Sequence, residues 1–255
     1  MILLIGGTSE TAPLSSGLAV AGYEVLVSTA TDAPLAIEEH PRIRRRMGRL
    51  DEEGLVSLAK EKRIRAIVDA AHPYATAAHV AALNAANHLE IPYVVFRRPE
   101  AETSGVPVRF AADHREAAAL AFADGRPVLI TTGSRNLAPY AEEARRTGIP
   151  FAVRVLDAPE SLAACRKAGI AGERTIAGRG PFTLEENLAA IRRFGIGVIV
   201  TKESGRAGGL DAKLAAACQA NCRVIVLSRP EAPDTGLTFD NPAALIAALR
   251  DLVPL

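Results

Sequence analysis

The chain contains no tryptophan, and aromatic residues make up only 4% of its 255 positions. So few rings argue against a surface on which single-stranded bases stack. No apolar run is long enough to cross a membrane, although 49% of the residues are hydrophobic. An excess of either charge is missing too, since 30 Lys and Arg offset 29 Asp and Glu to leave +1. Bulk electrostatics therefore favours neither nucleic acid nor membrane as a partner, and any acidic ligand must be met by local Arg and Lys. Cysteine is sparse. Cys165, Cys218 and Cys222 are an odd set without a C-x-x-C pair, which reads as cytoplasmic thiols, with no metal site expected. Gly6 to Glu10 interrupt the first apolar run before any cleavage-type region, so a secretion signal is not expected there. The length suits one large or two small domains.

What is present begins at the first residue. Met1 to Ile5 form a continuous apolar run, as a buried parallel strand does. It leads into Gly6-Gly7-Thr8-Ser9-Glu10. The glycine pair permits a sharp turn and a close backbone approach to a ligand. Thr8, Ser9 and Thr11 bring hydroxyls to the start of the next helix, where free N–H groups and the helix dipole favour phosphate. This predicts a dinucleotide site built on Gly6, Gly7, Thr8, Ser9 and Glu10. A tight turn with a helix cap explains the same residues, because the full G-x-G-x-x-G spacing is absent.

Strand and helix patterns alternate along the chain. Strands are predicted at 1–5, 24–28, 43–48, 65–69, 92–96, 106–110, 127–131, 151–156, 174–177, 197–201 and 223–227. Ala-rich helical stretches fall at 14–21, 53–60, 76–89, 115–123, 137–146, 160–167, 184–194, 212–220 and 243–252. Repeated strand-then-helix order predicts an α/β protein with parallel sheets covered on both faces. Ile91-Pro-Tyr-Val-Val-Phe-Arg-Arg-Pro-Glu resembles Cys222-Arg-Val-Ile-Val-Leu-Ser-Arg-Pro-Glu, each a buried strand delivering Arg-Pro-Glu. Two similar units follow from that, expected at residues 1–124 and 125–255, with the strand ends of both lining one cleft.

Three stretches fall at strand ends. In Val68-Asp-Ala-Ala-His-Pro-Tyr-Ala75, Asp69 ends a strand, His72 lies in the turn and Pro73 suits a first helical turn. In Gly178-Arg-Gly-Pro-Phe-Thr-Leu-Glu-Glu-Asn187, Thr183 and Glu186 have capping-box spacing, and Arg179 precedes the helix where an anionic group would sit. The third, Val200-Thr-Lys-Glu-Ser-Gly-Arg-Ala-Gly-Gly-Leu-Asp-Ala-Lys213, sets Lys202 against a buried run. An unpaired charge is costly there, so a ligand-facing role is favoured over a solvated loop. The order required of a Walker A loop is missing.

These residues, taken in order, resemble the precorrin-6A reductase family of cobalamin biosynthesis. The resemblance rests on Gly6-Gly-Thr-Ser-Glu10, Gly48-Arg-Leu-Asp51, Asp69-Ala-Ala-His-Pro-Tyr-Ala75, Arg98-Pro99, Arg154-Val-Leu156 and Gly180-Pro-Phe-Thr183 with Asn187. It continues through Thr201-Lys-Glu-Ser-Gly205, Gly208-Gly209, Lys213 and Arg229-Pro230, and so spans nearly the whole chain. Ala71 stands where the family usually has Thr, and Tyr74 where Phe is common.

The resemblance implies two Rossmann-like domains, NADPH at the N-terminal one, a tetrapyrrole in the cleft, and reduction of precorrin-6A to precorrin-6B. A carboxylate-edged macrocycle needs scattered cations and N–H donors, which Arg98, Lys202, Ser204, Gly205, Lys213 and Arg229 supply beside Arg179. Ser28, Thr29 and Thr31 replace the acidic residue of an NADH site, and Arg49 is placed to reach a ribose phosphate. Lys202 and His72 are the expected catalytic pair: Lys202 toward a substrate carboxylate or the macrocycle, His72 with Asp69 and Pro73 around the nicotinamide. The same reaction on the cobalt-containing substrate remains open, as does a two-domain nucleotide-sugar transferase, which uses the same helix-start chemistry.

Overall fold

The computed structural model describes residues 1–32, 35–97, 107–203, 209–230 and 237–255. Its first elements are β1 (Ile2–Ile5), α1 (Thr11–Val20), β2 (Val25–Thr29), β3 (Ile43–Met47), α2 (Glu52–Lys62), β4 (Ala66–Asp69), α3 (Thr76–Leu89) and β5 (Tyr93–Phe96). β6 (Val108–Ala111), α4 (His114–Phe122), β7 (Val128–Ile130), α5 (Ala138–Thr147), β8 (Phe151–Val155), α6 (Pro159–Lys167) and β9 (Thr175–Ala177) follow. The chain closes with α7 (Leu184–Phe194), β10 (Val198–Lys202), α8 (Leu210–Gln219), β11 (Arg223–Leu227), β12 (Thr238–Phe239) and α9 (Pro242–Leu252).

Local chemistry accounts for these elements. β1, β4 and β5 are buried along their whole length, as strands sandwiched between helices must be. Asp51 starts α2 by accepting from the Gly54 amide, and Asp113 starts α4 by accepting from Arg115 and Glu116. Thr183 and Glu186 close a capping box on α7, as their spacing predicts. Helix α1 begins at Thr11, three residues before the expected Leu14.

Two parallel six-stranded sheets result, ordered β12-β5-β4-β1-β2-β3 and β6-β11-β10-β7-β8-β9. Outward from β1 and from β7 the two orders are the same: β1, β2, β3, β4 and β5 correspond to β7, β8, β9, β10 and β11. The duplication legible in the Arg-Pro-Glu repeats is therefore a duplication of topology. The edge strands are exchanged. β6 follows the first five strands in sequence but pairs with β11, and β12 follows the second five but pairs with β5.

That exchange moves the expected boundary. One compact unit is Met1–Pro99 with Pro230–Leu255, and the other is Glu100–Arg229, so a single division at 124/125 is incorrect. The physical reason lies in what β12 and α9 cover. Leu245, Leu249 and Val253 are buried in one core with Leu14, Leu18, Val25 and Val27. The Tyr23 hydroxyl donates to the carbonyls of Leu249 and Val253 at 3.1 and 2.9 Å. On the other face of the first sheet, Leu55 and Ala59 of α2 pack with Ala82, Ala85 and Ala86 of α3. In the second unit, Ala190 and Ile191 of α7 and Leu210, Leu214 and Ala217 of α8 cover one face of the sheet.

Candidate active site

In the first unit the glycine turn has the backbone the sequence predicts. Gly7 is at φ +111°, a region that disfavours side chains, and a Cβ there would meet nothing within 4 Å. At Gly6 a Cβ would lie 2.5 Å from Thr11 Cγ2. The hydroxyls behave differently from expectation. Thr11 Oγ1 accepts from the amides of Gly7 and Thr8 at 3.0 and 3.1 Å, and Thr8 Oγ1 donates to Ala70 O at 3.0 Å. Thr8 and Thr11 are buried and hold the turn against β4 rather than presenting hydroxyls to an anion. Ser9 is exposed, and its hydroxyl donates to Glu10 Oε1 at 3.0 Å.

Beside this turn, β2 ends in Ser28 and Thr29, both buried. β3 reads Ile-Arg-Arg-Arg-Met, and two of its arginines reach across to β2. Arg46 Nη1 donates to Ser28 Oγ at 2.7 Å, and Arg45 Nη2 lies 3.4 Å from Thr29 Oγ1 and from the carbonyl of Thr31. Thr29 Oγ1 donates to that same carbonyl at 2.9 Å. Arg49 is exposed in the turn after β3. The cations that touch the β2 hydroxyls are thus Arg45 and Arg46, which the sequence reading did not single out. Their signal was an arginine run on a strand adjoining a hydroxyl-ended one.

Asp69 has a different place from the one expected. Its side chain is fully buried. It accepts from the Ala71 amide at 3.0 Å, His79 Nδ1 at 2.7 Å and the Tyr93 hydroxyl at 2.5 Å. His79 Nε2 lies 3.1 Å from the carbonyl of His72. A carbonyl only accepts, so the protonated ring of His79 is the form that makes both hydrogen bonds. Burial opposes that charge, but the hydrogen bond and charge of Asp69, with the carbonyls of His72 and Pro73, raise the His79 pKa. Burial and the Asp69 charge push the Tyr93 phenol up as well. Asp69 thereby ties α3 and β5 together through His79 and Tyr93, and His79 in turn reaches the carbonyl of His72. The His72 ring itself is exposed, and its Nδ1 accepts from the Tyr74 amide at 3.3 Å. Pro73 lies in a turn before Ala75, the N-cap of α3, and not in the helix.

In the second unit the carboxyl ends of the strands are cationic. Lys202 ends β10 half-buried. Burial and then the charge of Arg135 lower its pKa. His114 Nδ1 is 2.9 Å from the hydroxyl of fully buried Tyr140, and burial with the Lys202 charge pushes His114 down to about 4. Its imidazole is neutral near pH 7. Arg229, expected to bind substrate, forms a buried ion pair with Glu203, so its charge is compensated inside the fold. Lys213 stands in the first turn of α8, where burial and the charge of Arg154 bring it to about 8. Arg154 on β8 is buried, with Nη1 donating to Asn187 Oδ1 at 2.6 Å and its guanidinium carbon 4.1 Å from the centre of the Phe182 ring. Arg179 is exposed in the segment before α7. Arg98, Ser204 and Gly205 lie outside the described residues. Among the described residues, no group of three His, Cys, Asp or Glu could hold a metal ion, and no helix is long and apolar enough to cross a membrane.

Two doubly wound parallel-sheet units, one opening on a glycine turn and the other edged with cations, define a two-domain protein of the Rossmann-like α/β class. The family model described as precorrin-6x reductase CbiJ/CobK matches residues 1–250, and the chain belongs to that family. A cobalt-precorrin-6A reductase of Priestia megaterium is 32% identical over 232 residues, covering 91% of each chain. A precorrin-6A reductase of Rhodococcus erythropolis is 33% identical over 252 residues, covering 96% of each. The solved structure of CobK precorrin-6A reductase aligns with a TM-score of 0.82 at 24% identity, over 99% of this chain and 96% of that one. The chain is thus an oxidoreductase of cobalamin biosynthesis with two parallel-sheet domains, and its family implies a redox cofactor. The nucleotide-sugar transferase reading is set aside by that membership.

Proposed function

We propose that this protein uses NADPH to reduce one double bond of the precorrin-6A macrocycle, metal-free or cobalt-bearing, to the precorrin-6B level. The observation that carries the reading is the ordered match along residues 1–250 to a reductase family. NADPH supplies the hydride, and the protein's task is to orient two ring systems, exclude water and provide a proton.

The first unit suits the cofactor. The open space at Gly7, with φ +111°, lets a pyrophosphate approach the backbone at the start of α1, beside Gly6, Ser9 and Glu10. Ser28 and Thr29, held by Arg46 and Arg45, suit the phosphate-bearing ribose, with Arg49 in the next turn. Favouring NADPH over NADH here follows from cations and hydroxyls standing where a carboxylate would bind the free ribose hydroxyl. His72 and Pro73, fixed by Asp69 through His79, form the wall of the nicotinamide site.

The second unit suits the tetrapyrrole. Lys202 meets a substrate carboxylate or donates toward the macrocycle, while Lys213 and Arg179 meet other carboxylates. Arg229 contributes through its pairing with Glu203, which holds the end of β10 against the end of β11. Turnover of NADPH with the metal-free and the cobalt-bearing tetrapyrrole tests this reading.

A further inference from the structure

We propose that Arg154 and Lys213, at the first turns of α7 and α8, form a specificity subsite that binds one carboxylate of the tetrapyrrole. The inference rests on the function proposed above and adds Arg154 as the residue that reads the anion.

The Arg154 side chain is unusually placed for a cation. It interrupts a buried strand, Phe-Ala-Val-Arg-Val, and the residue is only 5% exposed. Ala152, two positions earlier on the same face, packs with Ala190 and Leu214 of α7 and α8. Arg154 is the next residue toward the carboxyl edge on that face, and it reaches the helix starts.

Its direct contacts are neutral groups; burial lowers its pKa, and the charge of Glu186 opposes that only in part. Among the described residues the guanidinium makes no ion pair, and its buried Nε has no hydrogen-bond acceptor. Asn187 accepts from Nη1, and the Asn187 amide nitrogen donates to Thr183 O at 2.7 Å. Asn187 is thereby fixed as a neutral support for the guanidinium. Phe182 stacks on it and is equally neutral. The nearby carboxylate, Glu186, is engaged in the capping box, where it accepts from the Thr183 amide at 2.7 Å.

A second cation lies within electrostatic reach. Lys213 is largely buried, and the Arg154 charge helps depress its pKa to about 8. The two cations together raise the positive potential around the starts of α7 and α8. The backbone around them is also shaped for close approach. Gly209, the N-cap of α8, is at φ +73°, and a Cβ there would come within 3.2 Å of Pro181 Cβ, so the 178–183 segment abuts the start of α8. Two helix N-termini add positive potential at the same place. A planar fork beside an ammonium suits a carboxylate, and it also suits a phosphate. By strand correspondence Arg154 occupies in the second sheet the position Ser28 occupies in the first, so a cofactor phosphate is the competing source.

The test uses the full-length enzyme with Arg154→Gln and Lys213→Met, measuring KM for the tetrapyrrole and for NADPH separately. Loss of one charged hydrogen bond predicts a tetrapyrrole KM raised roughly 10- to 100-fold in each variant, with NADPH KM unchanged. Arg154→Lys should restore part of the loss, because it keeps charge without the fork. A raised NADPH KM with unchanged tetrapyrrole KM assigns the site to a cofactor phosphate and overturns the proposal. So do unchanged constants with a lowered melting temperature, the signature of a structural arginine. If Arg154→Gln does not fold, Lys213→Met alone decides by the same criteria. If the wild-type enzyme turns over neither tetrapyrrole, the proposed function fails by itself. The subsite is then tested by stabilisation with acetate, expected in wild type and lost in both variants; no stabilisation of wild type overturns it.

Discussion

At the scale of single residues, the two groups expected to be catalytic are held in contrasting ways. Lys202 sits on the last position of a buried strand, and burial with Arg135 lowers its pKa. Glu203, at the next position, is paired with Arg229. Lys202→Met keeps the apolar stem and deletes the ammonium, so packing is preserved. We expect kcat and kcat/KM for the tetrapyrrole to fall together, with thermal stability unchanged. An early-melting variant with normal turnover would make Lys202 a structural residue. His72 depends on a buried pair one step away. His79 has its pKa raised above the ordinary 6.5, so its stabilising effect is complete below that value. It is lost as pH rises through the higher folded pKa. The wild type should lose stability across that window relative to His79→Gln, and the variant should be the less stable of the two at pH 6. Parallel melting curves at every pH would contradict an imidazolium at His79. The sequence announced His72 and Asp69 but not His79, because a histidine inside an Ala-rich helix carries no local mark of the carboxylate it will meet.

At the scale of elements, β3 shows how a short edge strand can carry specificity. Its three consecutive arginines lie on the outermost strand of the first sheet, where charge also discourages pairing with another chain. Arg46 donates to Ser28 Oγ and to the carbonyls of Met47 and Gly48, so it is fixed before any ligand arrives. A pre-organised guanidinium loses less freedom on binding than an exposed one. Arg46→Ala should therefore weaken NADPH more than Arg49→Ala does, by about 1.5–3 kcal/mol, and leave NADH nearly unaffected. Equal losses for both cofactors would show that Arg46 only braces the β2 end. Strand and helix positions were legible almost throughout, because buried parallel strands are apolar runs, the helices are Ala-rich, and α2, α4, α7 and α9 start on Asp, Thr or Asn caps. β12 was not legible. Two residues, Thr238 and Phe239, make no run, and their pairing with β5 is decided far away in the chain.

At the scale of the whole molecule, the account rests on a duplicated five-strand unit whose sixth strands are exchanged. The repeats at Arg98-Pro99 and Arg229-Pro230 made the duplication visible. The exchange was hidden, since nothing local in β6 or β12 says which sheet it joins. Much of the site followed the same division. Gly7, Lys202 and Lys213 stand at strand ends or helix starts, where the sequence pattern put them. Thr8, Asp69 and Arg229 turned inward, because partners distant in sequence absorbed their polar groups. The proposed function makes one central claim, that an NADPH hydride reduces the macrocycle of a precorrin-6A-type tetrapyrrole. The most direct measurement is an anaerobic reaction with NADPH carrying deuterium at the transferred position, with product mass and NADPH consumption followed together. The account predicts one NADPH oxidised per tetrapyrrole and one deuterium retained in a product two hydrogens richer than its substrate. Tetrapyrrole bound but unchanged while NADPH stays reduced, with the metal-free and cobalt-bearing substrates alike, would contradict it.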